Sequence, residues 1–200
     1  MRRCRLSAGK TLIKLTNKKM KENNSWLSKI PQHIGHYISG FVDGEGSFSV
    51  SLRQREDHSL GWQVSLTLNV AQRDKTVLAL MKHHIGCGRL QERADGVHYY
   101  IVENPTALEE RIIPFFKKFP FLSSNKKKNF SIFSQIADLV FKKKHLTRDG
   151  LMKIIELRET LNEGRGRTRK YNLEDYQNSL SENPQRLHAR PQPRNRKWMI

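Results

Sequence analysis

Two stretches of strict alternation between apolar and polar residues constrain the fold most. Across Ser47–Arg53, the apolar residues Phe48, Val50 and Leu52 occupy every second position, and Gln63–Val70 repeats the pattern. Successive side chains of a strand point to opposite faces, so each stretch predicts a half-buried β-strand. The segment between them is polar and ends in a glycine, which predicts a turn. Together they predict an antiparallel pair with one apolar and one polar face.

The remaining pattern places helices before and after this pair and predicts a second hairpin. Apolar residues at helical spacing precede the first strand, and this helix is expected to end by Gly44. Asp74, Asn104 and Thr147 are candidate caps for later helices. The other predicted elements are a hairpin over 88–102 that turns at 94–96, and helices over about 75–85, 105–119, 127–141 and 148–163. The predicted fold class is α+β, a four-stranded antiparallel sheet with helices on its apolar face.

The charge balance points to a polyanionic partner. The chain has 37 Lys and Arg against 19 Asp and Glu, a net charge of +18, and basic side chains gain affinity by releasing counterions from phosphates. Residues 1–30 carry nine basic residues and one acidic residue, and residues 164–200 carry nine and three. We therefore predict a basic N-terminal arm over 1–30, a domain over 31–163 and a basic C-terminal tail over 164–200.

The basic ends have more than one interpretation. They are typical of nucleic-acid-binding tails, which leaves open a contact with RNA, but they are also typical of solvated chain ends. Residues 1–30, rich in Arg, Lys and Ser and nearly free of acidic residues, also fit an organelle transit peptide.

Other classes of protein are excluded. No apolar run approaches the ~18–20 residues of a membrane span, so no membrane association is expected. Cys4 and Cys87 are the only cysteines, which favours a reducing intracellular compartment over a disulfide framework. His83, His84 and Cys87 lie close in sequence, but no second ligand pair follows, so a zinc site is not expected.

The polar face of the predicted sheet is a candidate nucleic-acid surface. It carries Ser, Gln, Thr, Asn, Arg and Tyr, with acidic residues only at the strand ends. Most polar sheet faces are simply hydrated. A basic, twisted ribbon with these side chains also fits the DNA major groove, where they can read base edges.

The segment Ile38–Ser47 carries the chemistry. It predicts a helix that ends in two carboxylates, Asp43 and Glu45, separated by glycine. One interpretation is a simple turn. Beside a basic surface, a carboxylate can instead hold a divalent cation, because without a metal it would repel a phosphodiester. Small residues also recur along this helix, which allows two helices to pack closely. They are Gly35, Ser39, Gly40 and Gly44.

This segment resembles the signature motif of the LAGLIDADG homing endonucleases, with Ile38–Gly46 in place of the named letters. Ser39 replaces a small Ala, and Glu45 replaces the usual second Asp. The segment Val70–Lys75 also resembles the family's Gln-basic-Asp-Lys segment, and Phe121–Lys128 resembles its loop before a late helix. The resemblance covers about residues 31–163 and implies an αββαββα core with a saddle-shaped sheet facing DNA.

The resemblance implies a site-specific homing endonuclease. Such an enzyme would break both strands of a long, pseudo-palindromic DNA target by metal-dependent hydrolysis and so promote intron mobility. Glu45 would bind Mg²⁺ or Mn²⁺ with the carbonyl of Gly44 as a second ligand, and Gln72 would orient water.

Two lysines would stabilise the charged phosphate in the transition state. The resemblance assigns this role to Lys75, for which Arg73 is an alternative. It assigns the same role to Lys126, and the two lysines that follow are alternatives there. Asp43 would be structural, at the end of the helix.

The resemblance also implies that the polar sheet face contacts DNA. Strand parity then selects the candidate DNA-binding residues Ser49, Ser51, Arg53, Arg55, Gln63, Ser65, Thr67, Asn69, Gln91, Arg93 and Tyr99.

A single motif per chain implies a homodimer, because residues 90–200 contain no second small-residue helix ending in Gly-acid-Gly. The interface is expected along the motif helix, at Gly35, Ser39, Gly40 and Asp43. Two alternatives remain, an intron maturase that binds RNA and a DNA-binding protein that does not cut. The resemblance favours an organelle, with a bacterial or archaeal cytoplasm as the alternative.

Overall fold

The structure, a computed structural model, describes residues 25–58, 60–162, 171 and 173–181. The described strands are β1 (Gly46–Gln54), β2 (Trp62–Gln72), β3 (Arg89–Glu92) and β4 (His98–Val102). The described helices are α1 (Ser25–Ser28), α2 (Gln32–Glu45), α3 (Lys75–Ile85), α4 (Pro105–Ala107), α5 (Ile113–Lys118), α6 (Ser124–Phe141), α7 (Arg148–Glu159) and α8 (Leu173–Ser181), with a π-helical turn at Leu108–Ile112 and a 3-10 turn at Lys144–Leu146.

The four strands form one antiparallel sheet in the order β1-β2-β4-β3. In the first hairpin, Gly46 lies opposite Val70 at one end and Gln54 lies opposite Trp62 at the other. The apolar residues of the alternating stretches are buried, and their polar neighbours are partly exposed. The predicted α+β fold class and the predicted strand pattern are therefore confirmed.

The predicted caps begin their helices. The Asp74 carboxylate accepts a hydrogen bond from the Thr76 amide, and the Asn104 side chain does the same for Ala107. The Thr147 hydroxyl accepts a hydrogen bond from the Gly150 amide. Each cap satisfies an amide that has no partner within the helix, which explains why these helices begin where they do.

Several predicted helix boundaries are wrong. α2 continues one residue past Gly44, so β1 follows the helix without a linker. The helix predicted over 105–119 is interrupted by the π-helical turn just before Pro114, because proline has no amide to donate to the carbonyl four residues earlier. α6 begins at Ser124 because Ser123 caps it, and α7 ends at Glu159 rather than at residue 163.

The main core lies between the apolar sheet face and α2, α3, α5 and α6. At its centre, the Phe48 ring of β1 contacts four other phenylalanine rings at centroid distances of 5.0–5.9 Å. These partners are Phe116, Phe121, Phe130 and Phe133. Such aromatic contacts stabilise beyond the area that they bury, so they fix β1 against α6.

A second, smaller core involves the tail, where the sequence pattern predicts no helix. Tyr176 and Leu180 of α8 are buried with Trp62 of β2 and with Leu151 and Ile155 of α7. The part of the predicted tail that is described therefore packs onto the far end of the first hairpin.

Residues 1–24 of the predicted N-terminal arm lie outside the described residues. The rest of the arm contacts the domain, since Leu27 and Ile30 are buried in the main core. None of the described helices has the length and apolar character needed to cross a membrane.

Candidate active site and nucleic-acid interface

The junction between α2 and β1 holds the motif carboxylate at one end of the sheet. Glu45 is the last residue of α2 and is exposed, and Gly46 is the first residue of β1. A Cβ atom on Gly46 would lie 2.4 Å from Cγ1 of Val42 and 2.6 Å from its carbonyl oxygen. Only glycine therefore fits this direct helix-to-strand connection, which fixes Glu45 relative to the strand.

Two more of the predicted catalytic residues lie at the same end. Because Gly46 pairs with Val70, Gln72 ends β2 two residues beyond that pair. Its Oε1 accepts a hydrogen bond from the Arg73 amide at 2.8 Å. Lys75 begins α3 and is exposed. Glu45, Gln72 and Lys75 are thus brought to one end of the sheet from three different elements.

Lys126 lies differently from the other predicted catalytic residues. Its side chain is only 5% exposed, and its ammonium donates a hydrogen bond to the carbonyl of Gly46. The two lysines that follow it are exposed. Of the three candidates, Lys126 is therefore the one in contact with the residue next to Glu45.

Asp43 ties the motif helix to the loop before α6. Its Oδ2 accepts hydrogen bonds from the amides of Leu122 (3.1 Å) and Ser123 (2.9 Å), and its Oδ1 accepts one from the Ser123 hydroxyl. Partial burial alone would raise the pKa of Asp43, but these hydrogen bonds and the nearby Lys126 charge lower it below its ordinary value. The structural role predicted for Asp43 agrees with this geometry.

The oxygen donors at this end suit a hard divalent cation. Glu45 offers an exposed carboxylate at the end of α2, where the last carbonyls of a helix lack partners within it, and the carbonyl of Gly44 is one of these. No group of three or more His, Cys, Asp and Glu suited to metal binding occurs among the described residues. Mg²⁺ is typically held by one or two carboxylates together with waters and phosphate oxygens, so the donors fit this ion rather than a metal enclosed by protein ligands.

The candidate DNA-binding residues of the first hairpin form cross-strand rows on the sheet face opposite the core. Ser49 pairs with Thr67, Ser51 with Ser65, and Arg53 with Gln63. A fourth row pairs Asn69 with Ser47, which has the same parity but is not among the predicted DNA-binding residues. All of these side chains are at least partly exposed. We call this surface the reading face.

Arg55 does not belong to a strand, contrary to the parity prediction, because β1 ends at Gln54. Its guanidinium donates two hydrogen bonds of 2.8 Å to Asp57 and a longer one, of 3.5 Å, to Gln63. The bonds from Arg55 lower the pKa of Asp57 to about 2. Arg55 is therefore already paired with a carboxylate at the hairpin turn.

The second hairpin extends the reading face. Gln91 pairs with Tyr99. Arg93 lies just beyond the end of β3, contrary to the parity prediction, and its guanidinium lies 4.4 Å from the centroid of the Tyr99 ring. Arg89 shares the parity of Gln91 but was not selected from the sequence. It forms an exposed ion pair of 2.6 Å with Glu103.

The predicted interface residues of α2 fall on two different faces. A Cβ atom on Gly35 would lie 2.3 Å from the Phe119 ring, and Ser39 is 2% exposed and donates to the Phe119 carbonyl at 2.9 Å. Both face the protomer's own core. Gly40 is exposed, and a Cβ atom there would have nothing within 4 Å. Gly35 and Ser39 are therefore not available to a second copy. The predicted interface is left with the outer face of α2, which carries Gly40 and the half-exposed Tyr37.

Comparisons with known proteins agree with this arrangement. A family model described as LAGLIDADG endonuclease matches residues 38–137, from the motif helix to α6. The probable intron-encoded endonuclease 2 of Neurospora crassa is 32% identical over 154 residues, which are 71% of this chain and 34% of that protein. The homing endonuclease I-ApeII of Aeropyrum pernix is 33% identical over 102 residues, which are 50% of this chain and 60% of that protein.

The fold also matches solved structures. The archaeal intron-encoded homing endonuclease I-Vdi141I, complexed with DNA, superposes with a TM-score of 0.69 at 31% identity, covering 74% of this chain and 94% of that one. By contrast, the chain spans only 34% of the length of the Neurospora crassa relative and 60% of the length of the Aeropyrum pernix relative. Because the family model covers half of the chain and includes the whole motif, this chain belongs to the LAGLIDADG endonuclease family.

Proposed function

We propose that the protein is a site-specific homing endonuclease that hydrolyses both strands of a long, pseudo-palindromic DNA target and so promotes intron mobility. The observation that carries the proposal is the position of Glu45. An exposed carboxylate ends the helix that leads directly into the reading face, so a phosphodiester of DNA lying along that face would approach it. The names of the relatives, homing endonucleases and intron-encoded endonucleases, support the same activity.

Each residue at this end of the sheet would have a separate role in the proposed hydrolysis. Glu45 and the carbonyl of Gly44 would hold Mg²⁺ or Mn²⁺. When bound, such an ion supplies charge stabilisation at the phosphate and a more acidic water. Gln72 would orient the attacking water through its amide. Lys75, exposed at the start of α3, would lie near the developing negative charge.

The contact between Lys126 and the Gly46 carbonyl suggests how that lysine acts. Its buried ammonium contributes positive charge beside the strand that carries the site, and it holds the residue next to Glu45. Lys126 thus positions the carboxylate and adds to the local positive potential.

Two-strand cleavage supports a homodimer as the active form. The motif contributes one Glu45 per chain, while two phosphodiesters must be cut. On the outer face of α2, Gly40 and Gly44 have open space around them, which would allow the backbone of a second copy to approach closely. Dyad symmetry would then place one Glu45 at each strand and require a target that is roughly palindromic.

RNA contact, the maturase alternative and the organelle location stay predictions. The RNA contact falls mainly on residues 1–24, 163–170 and 182–200, which lie outside the described residues. The exposed Glu45 favours cutting over binding alone, since a carboxylate without a metal would weaken the affinity for DNA.

The test is selection and cleavage of a DNA duplex. The chain is incubated with a randomised duplex library, the bound duplexes are enriched, and cleavage of the enriched sequence is followed with Mg²⁺ and with EDTA. We expect double-strand breaks with Mg²⁺ only, and we expect Glu45→Gln to bind the same duplex without cutting it. Glu109→Gln, an exposed substitution remote from the reading face, is the matched control and should cut normally. Cleavage by Glu45→Gln at the wild-type rate would refute the proposal.

A further inference from the structure

The outer edge of β1 is hydrogen-bonded to side chains instead of to another strand. β1 lies at the end of the sheet order, so its edge away from β2 pairs with no strand of the described sheet. Along that edge, alternate carbonyls each accept a side-chain hydrogen bond. Lys126 donates to Gly46, Asn162 Nδ2 donates to Phe48 at 2.9 Å, and Arg158 Nε donates to Val50 at 3.0 Å.

The middle donor, Asn162, is itself held in place through its backbone. Asn162 adopts a left-handed backbone conformation, with φ of 58°, and its amide N–H donates to Oδ1 of Asn129 at 3.1 Å. Asn129 lies in α6, is 4% exposed and donates from its own side chain to Asn125 at 3.2 Å. A buried asparagine thus fixes the residue that reaches the Phe48 carbonyl.

The outer donor connects β1 to the tail helix. Arg158 is mostly buried on α7, and besides the Val50 carbonyl its guanidinium donates to the hydroxyl of Tyr176 at 3.1 Å. Tyr176 packs edge-on against Trp62 of β2, with ring centroids 4.7 Å apart. One guanidinium therefore joins a strand of the reading face to a helix more than a hundred residues away in sequence.

We propose that Asn162 and Arg158 are positioning residues for DNA sequence discrimination, which rests on the proposed function. The carbonyls that they hold alternate along β1 with Ser49 and Ser51, whose side chains point to the reading face. Pairing with β2 fixes one edge of β1, and the side-chain contacts fix the other. Recognition of bases requires side chains held to within ~0.5 Å of the productive geometry, so loss of the outer-edge contacts should loosen base discrimination.

A competing role is simple protection of the strand edge, since exposed edges pair with other chains. That role and general stabilisation predict the same loss of folding stability. Only a positioning role predicts that loss of an outer-edge contact reduces sequence discrimination while a control variant with the same loss of stability keeps wild-type discrimination. The readout is therefore a ratio of rates on different duplexes, measured at a temperature where every variant is folded.

The variant Asn162→Gly separates the roles most cleanly. Glycine keeps the left-handed backbone and the N–H donated to Asn129, but it removes the donor to Phe48 without adding a charge. Ile85→Val, which trims a buried side chain of α3, is the control for a general loss of stability. Single-turnover cleavage is measured on the duplex selected by the wild-type chain and on its single-base-pair variants.

We expect Asn162→Gly to lower the ratio of cognate to mismatched cleavage by about tenfold over one block of positions in each half-site, the size of one lost base contact. We expect Ile85→Val to leave the ratio unchanged. If Asn162→Gly does not fold, Arg158→Gln decides by the same measurement, with the loss at the outer end of the half-site.

Wild-type discrimination by folded Asn162→Gly and Arg158→Gln variants would overturn this inference alone. An equal loss of discrimination by Ile85→Val would also overturn it. If the wild-type chain selects no duplex, the proposed function fails and this inference fails with it, so the two failures are distinguishable.

Discussion

The Asp43 carboxylate is hydrogen-bonded to Ser123, the residue that precedes α6, although the two lie 80 positions apart in the sequence. The carboxylate accepts hydrogen bonds from both the amide and the hydroxyl of Ser123. The same hydroxyl oxygen accepts a hydrogen bond from the Lys126 amide at 3.2 Å and so caps α6. This contact joins the end of the helix that carries Glu45 to the start of the helix that carries Lys126.

Asp43→Asn should therefore destabilise the protein. The variant loses the charge and leaves at least one of the three donors with a poorer acceptor, for which we expect a loss of about 1–3 kcal/mol in the free energy of unfolding. Urea denaturation measures it. Asp138→Asn is the control, because Asp138 forms an exposed ion pair with Lys142 and should cost about 0.5 kcal/mol or less. Equal losses for the two variants would contradict the role assigned to Asp43.

The contribution of Asp43 should also depend on pH in one direction. The pKa of Asp43 is lower in the folded chain than its ordinary value of 3.8. Its stabilisation is therefore fully present above the ordinary value and is lost as the pH falls through the lower, folded value. The difference in unfolding free energy between wild type and Asp43→Asn should stay constant from neutral pH to about pH 5 and shrink below it. Urea denaturation across this pH series measures the difference, and an increase on acidification would contradict the assignment.

Two glycines of α2 should respond oppositely to alanine. Gly35→Ala places a Cβ atom 2.3 Å from the buried Phe119 ring, so we expect a loss of about 1–3 kcal/mol in stability at any protein concentration. Gly40→Ala meets no atom within 4 Å in the protomer and should not destabilise it, because alanine favours helix. If the outer face of α2 is the dimer interface, Gly40→Ala should weaken dimerisation in sedimentation equilibrium. Unchanged dimerisation would argue against that interface.

The tail helix should contribute to folding of the first hairpin. Tyr176 is fully buried against Trp62, so Tyr176→Ala should cost about 3–5 kcal/mol. Tyr176→Phe keeps the ring and removes the hydroxyl that accepts the hydrogen bond from Arg158, for which a loss of about 0.5–1.5 kcal/mol is expected. Thermal or urea unfolding measures both. A Tyr176→Ala variant as stable as wild type would show that α8 does not support the sheet.

The local features of the fold could be predicted because local physics decides them. Strand alternation gave the face of Ser49 and Thr67 directly, since side chains in a strand have a period of two. The helix beginning after Asp74 followed from a cap within the same few residues. The antiparallel pairing of the first two strands followed from the polar, glycine-ended segment between them, which predicts a turn.

The faces of α2 show where such a pattern becomes ambiguous. Small residues recur along the helix, but Gly35 and Gly40 are five positions apart, which is about 140° around a helix of 3.6 residues per turn. The first packs on Phe119, and the second faces outward. Both positions hold glycine, so the sequence alone did not distinguish the inner from the outer face.

Contacts between segments that are distant in the chain could not be predicted from the sequence. Asn162 and Arg158 contact carbonyls of β1 from more than a hundred residues away, and no local pattern marks them. The buried position of Lys126 likewise depends on how α6 packs against β1. The short helix α8 was missed because its burial depends on two side chains, Tyr176 and Leu180, that meet a hairpin far away in the chain.

In the proposed homodimer, the Glu45 of each chain serves one DNA strand. The most direct measurement uses mixed dimers, in which a wild-type chain and a Glu45→Gln chain carry different affinity tags and are purified through both. With the selected duplex and Mg²⁺, we expect nicks in a single strand from the mixed dimer and double-strand breaks from the wild-type dimer. Double-strand breaks by the mixed dimer at the wild-type rate would contradict the role of one Glu45 per strand.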